Sequence, residues 1–225
     1  MSTIETNVVK PNIKFVSNDN EYLLLGPESE NLLDSGIKNI ENYINQSGKG
    51  KTDEEKDSLY MNAQNMWNEY AVIMKNAKYN FHLNRVQWKF LTDLLLSKLE
   101  YDVNTVFFAI ELVELLGSLR EVKYTDDKEL KVVVVNATEI TYIYHLISKY
   151  KVKGLTKESF TFSEILVKIG DISKIFNYYD AVGKNLSTDI QNWVTSFEEG
   201  IVFEKSVTVT ETTEETTTEE TVEQA

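Results

Sequence analysis

Few side chains in this sequence combine a reactive type with a spacing that does chemistry. Ser47-Gly48-Lys49-Gly50-Lys51-Thr52 ends in Gly-Lys-Thr, the close of a phosphate-binding loop. Such a loop converges backbone amides on phosphate oxygens, which requires the full G-x-x-x-x-G-K-[ST] spacing and a buried strand ahead of it. Asn45 stands where the first glycine belongs, and the preceding residues have helical apolar spacing. The stretch therefore reads as a linker ahead of a capped helix. Glu111 and Glu114, three apart on an apolar segment, are spaced to share a metal or move a proton. Bundle di-metal sites add Glu-x-x-His from further helices. The only histidines are His82 and His145, and neither follows a Glu by three. Both glutamates read as a narrow solvent-facing strip or as partners of lysines. No G-x-S-x-G elbow supplies a nucleophile for either histidine. Trp67, Trp88 and Trp193 are types that stack on bases, but they fall on apolar faces expected in the core. Tyr60, Tyr124 and Tyr178 fall outside those faces and are the candidate residues for a protein interface. No catalytic, metal-ligating or cofactor-binding residue is assigned, and no cofactor is expected.

The elements that would position these groups follow from apolar periodicity. Asn12–Val16 and Glu21–Leu25 flank the turn formers Ser17-Asn18-Asp19-Asn20, a short β-hairpin ended by Gly26-Pro27. Leu32, Leu33, Ile37, Ile40 and Ile44 mark a first helix. Thr52 and Glu55 have capping-box spacing and open a second, expected from about Asp53 to Asn80. A third fits Asn84–Lys98. Asp102 would cap a fourth, Val103–Leu116, which is apolar nearly all round and is expected to be central and buried. Lys131–Val135 has the β-branched run of a strand, followed by a helix over Thr138–Tyr150. From Phe162 through Ile169, Ile172, Phe176, Leu186, Ile190 and Trp193 to Phe197 the apolar steps alternate three and four without a slip. That is one long helix, or two coaxial ones bent at Gly183, with Lys168, Asp171, Lys174 and Asp189 expected on its polar side. Ile201–Val209 reads as an edge strand. The Thr/Glu run from Thr210 has almost nothing to bury and reads as disordered. The fold class is thus mainly α: a helical bundle over 28–205, an N-terminal arm with a hairpin over 1–27, and an acidic tail over 206–225.

Composition narrows the function classes. The formal net charge is −13, of which the six glutamates after Lys205 supply nearly half. A chain of this balance repels phosphate backbones and anionic lipid on average, so direct nucleic-acid binding is not expected. Arg85 and Arg120 are the only arginines, and there is no cysteine, which removes disulfides, thiol catalysis and Cys-ligated metal sites. Met1–Lys10 lacks the basic-then-apolar pattern of a signal peptide. The apolar runs are too short to cross a bilayer. A cytoplasmic location is expected.

Two stretches carry a resemblance: Tyr101–Leu119 (YDVNTVFFAIELVELLGSL) and Val135–Leu155 (VNATEITYIYHLISKYKVKGL). The second resembles helical proteins of unassigned role encoded by crAss-like tailed phages of gut bacteria. The likeness covers about a third of the chain and carries no functional residue with it. It implies a phage protein, in the host cytoplasm or in the virion. The expected function is a non-enzymatic helical interaction or assembly protein with protein partners or self-association, such as a portal-proximal ring or connector component of a virion. The alternative is an accessory factor in replication or host control acting through the acidic surface or tail.

Overall fold

The structure, a computed structural model, describes residues 8–17, 19–103, 105–117, 124–152, 154–199 and 203. It is mainly helical, with a small N-terminal hairpin, as the sequence leads one to expect. The expected edge strand over Ile201–Val209 and the disordered tail lie outside the described residues, Phe203 apart.

The spine is α6, Lys157–Glu199, a single 43-residue helix. At about 1.5 Å rise per residue it is about 64 Å long. No proline interrupts it, and its three-four apolar register puts Ile165, Ile169, Ile172, Leu186, Ile190 and Trp193 at 4% exposure or less on the core side. Gly183 does not divide it. A Cβ there would lie 2.9 Å from the Tyr70 ring, so this glycine serves close packing. The polar side needs correction. Lys174 is exposed as expected, but Asp189 is buried and Lys168 is half-buried, while Phe176 is only partly covered.

Helices α1 (Pro27–Tyr43) and α2 (Asp53–Asn76) pack on α6. Proline at the first position of α1 presets its φ and sacrifices no bonded N–H. The Thr52–Glu55 capping box starts α2 as its spacing indicates. Tyr70 of α2 locks the three helices together. Its ring lies against Gly36 of α1 and Gly183 of α6, and its hydroxyl donates to the Tyr179 carbonyl at 2.8 Å.

α2 stops at Asn76, short of the expected end near Asn80, and Tyr79–Leu83 is a strand, β3. β3 pairs antiparallel with β4 (Lys131–Val135), Phe81 opposite Val133 and His82 opposite Val132. Tyr79, Phe81, Val133 and Val135 face the core. Asn80 and His82 point the other way, under the hairpin of β1 (Lys14–Ser17) and β2 (Asn20–Leu23). Asp19 takes φ 60 in its tight turn, a left-handed conformation that Asp tolerates. The order of layers is therefore hairpin, β3–β4 pair, helices.

Asn84 caps α3 (Arg85–Asp93), which runs on as a π-helical turn over Leu94–Lys98. α4 (Val106–Gly117) follows Asp102, whose carboxylate accepts from the Thr105 amide. α4 is not central. Ala109, Leu112 and Leu116 are buried, but its opposite face is exposed. Asn136 and Glu139 form the capping box of α5 (Ala137–Ile147), which packs between α4 and α6.

Candidate functional site

A network of buried and half-buried polar groups sits where α6 crosses β3. The Lys168 ammonium donates to the His82 carbonyl at 2.8 Å and to Gln87 Oε1 at 2.7 Å. The Gln87 amide donates onward to Glu164 at 2.8 Å. Burial pushes Lys168 down to about 8, against the opposing charge of Glu164. The His82 ring stands edge-on to Phe15 and Tyr22, and its Nε2 lies 3.0 Å from the Leu23 carbonyl. A carbonyl only accepts, so Nε2 carries the proton and Nδ1 is the bare nitrogen; Nδ1 is buried with no partner. Burial, reinforced by the Lys168 charge, holds the imidazole below its ordinary range, although the Leu23 bond opposes this. The arrangement ties α6, β3, α3 and the hairpin together. None of the three cavities described below is lined by these residues.

A pH dependence follows. The unfolded imidazole takes up a proton near its ordinary value of 6.5, whereas the folded one resists it. Stability tied to His82 is therefore full above 6.5 and lost as pH falls below it. The melting midpoint of the wild type should drop more between about pH 7 and pH 5 than that of His82→Phe, which keeps an aromatic ring and removes the titration. Parallel curves for the two chains would contradict the assignment.

The residues singled out in the sequence are scattered. Glu111 and Glu114 are exposed on α4, and no group of three His, Asp or Glu side chains able to hold a metal occurs among the described residues. His145 is exposed in the last turn of α5. The Gly-Lys-Thr loop follows α1, not a strand. It borders a cavity of about 480 Å³ closed by Trp193, Phe197 and Phe203, and a Cβ on Gly48 would fall 2.2 Å from the Phe197 ring. Each tryptophan donates its indole N–H to a backbone carbonyl of another element: Trp67 to Gly183, Trp88 to Leu116 and Trp193 to Gln46. They are staples between elements, each committed to the chain's own packing. Of the proposed interface tyrosines, Tyr60 and Tyr124 are half-buried, the latter with its hydroxyl 3.4 Å from the Leu83 carbonyl. Tyr178 is 6% exposed, edge-on to Tyr179, and belongs to the core, a correction to its expected surface position. Tyr60 stands on α2, Tyr178 on α6, and Tyr124 in the loop before β4.

The surface that does stand out is on α4 and the turn before it. Val103, Phe107 and Ile110, at steps of four and three, are 79%, 66% and 51% exposed. Phe108, on the flank, stacks on Tyr142 of α5 at 4.0 Å between centroids. Behind this stack, Thr138 and Tyr142 wall two depressions. One of about 180 Å³ lies against Phe108 and Leu112, and one of about 530 Å³ against Met74 and Phe176. The smaller depression is lined by Glu111, Asn136 and Glu139 as well as by apolar groups, and an exposed apolar stripe of this kind is the type of surface that contact sites use. The residues were visible in the sequence, but periodicity cannot separate a helix buried by its own chain from one kept for a partner.

No protein family, curated protein or solved structure matches this chain. No helix among the described residues is long and apolar enough to cross a membrane.

Proposed function

We propose that this chain is a non-enzymatic, protein-binding assembly subunit, and that the outer face of α4 is where a protein partner docks. The observation that carries the reading is the uncovered stripe Val103–Phe107–Ile110. Fully burying one such side chain is worth about 1.5–3 kcal/mol, so two or three form the centre of a stable interface. The resemblance of Val135–Leu155 to crAss-like phage proteins supports an assembly in a tailed-phage virion, with this chain as a ring or connector component. The second reading, an accessory factor in the host cytoplasm, is favoured by the net charge of −13. A chain so acidic suits a basic protein partner.

Quantifying the chain in purified particles and in the particle-free lysate of infected cells separates the two. A fixed copy number per particle is expected. Recovery only from the particle-free fraction would replace the virion reading with the accessory one.

A further inference from the structure

Among the described residues, the second edge of β4 is open. β4 pairs with β3 alone, and no other backbone group among the described residues bonds to Lys131–Val135. Val132 and Val134, on the hairpin side, remain 42% and 48% exposed. The edge has four consecutive valines and no proline to block a further strand. An unprotected edge of this kind is a template for an added strand.

One segment of the chain suits it. Ser206-Val207-Thr208-Val209-Thr210 alternates valine and threonine, so Val207 and Val209 would share one face of a strand, as Val132 and Val134 do. The chain's own geometry decides which copy supplies it. β4 is held near Lys168, whose ammonium bonds the carbonyl of His82, the partner of Val132. Phe203 lies at the other end of α6, lining a cavity with Trp193 and Phe197. The rise along α6 from Lys168 to Trp193 is about 38 Å, at about 1.5 Å per residue. From Phe203 to Val209 a fully extended chain reaches about 21 Å. The segment falls short of its own β4.

We infer that residues 206–210 of one copy add as a strand to the free edge of β4 of a second copy. The contact is head-to-tail, a donor edge on one subunit and an acceptor edge on the next. A repeated heterologous contact generates a ring when its rotation closes and a filament when it does not. The inference rests on the assembly reading and specifies self-association within it.

The test compares the mass in solution of three full-length chains over a concentration series. Val207→Pro/Val209→Pro removes the donor strand outside the described fold. Val132→Lys/Val134→Lys places charge on the acceptor edge. Wild type should exceed the one-chain mass by at least about twofold, as a head-to-tail contact requires. Each variant alone should stay at one chain, and an equimolar mixture should form a one-to-one dimer and nothing larger. If the edge variant fails to fold, the donor-blocked chain is instead offered a synthetic peptide spanning Lys205–Glu211. The peptide should slow amide exchange in Lys131–Val135. A wild type that stays at the one-chain mass overturns the inference, as does a donor-blocked chain that keeps the wild-type mass or a peptide that leaves exchange unchanged. In each case the assembly reading itself still stands or falls on the particle measurement.

Discussion

Replacing Tyr70 with alanine should cost about 3–5 kcal/mol, the range for losing a large aromatic from a packed core. The ring is 1% exposed and fills the space left by the missing side chains of Gly36 and Gly183. Those two glycines sit on helices that can approach only because neither carries a Cβ, so removing the ring leaves a void that α1 and α6 cannot close without sliding. Tyr70→Phe keeps the ring and loses only the hydroxyl bond to the Tyr179 carbonyl, which should cost about 1 kcal/mol. Urea denaturation of the three chains measures both. Equal costs for the two substitutions would show that the hydroxyl bond, and not the packing, makes this junction.

The second large effect is expected at Trp193, where alanine should also cost about 3–5 kcal/mol. The indole is 1% exposed, its N–H donates to the Gln46 carbonyl at 2.8 Å, and its ring meets Tyr43 and Phe197 edge-on. It fixes the end of α6 to the loop after α1. Lys174→Ala, on the exposed side of the same helix, should cost under about 0.5 kcal/mol. A small loss for Trp193→Ala would mean that the end of α6 is held by other contacts.

These two sites show what the sequence made legible. The three-four register placed Ile169, Ile172, Leu186, Ile190 and Trp193 on one buried face, because an apolar stripe without a proline has few other solutions. It did not reveal why residue 183 is glycine, since that depends on Tyr70 lying opposite it, on a helix far earlier in the chain. The strand Tyr79–Leu83 was hidden because Ala77 extends the helical stepping of α2. Its own signal was the alternation Tyr79, Phe81, Leu83, which outweighs the helical pattern only once the ladder partners Val133 and Val135 of β4 are in view. Lys168 and Asp189 were expected in solvent. A lysine stem is long enough to lie along apolar surface while its ammonium finds a backbone carbonyl, and side-chain charge alone does not foretell that. For α4 the composition gave the apolar surface correctly and its destination wrongly. Ala109, Leu112 and Leu116 are turned into the core, and Phe107 and Ile110 look outward.

That outward face is the central claim, and one paired measurement bears on it most directly. The native mass of the complex isolated on a tagged chain is compared for wild type and Phe107→Glu/Ile110→Glu, with the melting midpoint of each purified chain recorded beside it. The account predicts a midpoint close to wild type, since both side chains are exposed in the isolated fold, together with loss of the protein partner from the complex. A variant that melts far below wild type would show that the face belongs to the chain's own core. A variant that melts normally and keeps the same complex would show that nothing docks on α4.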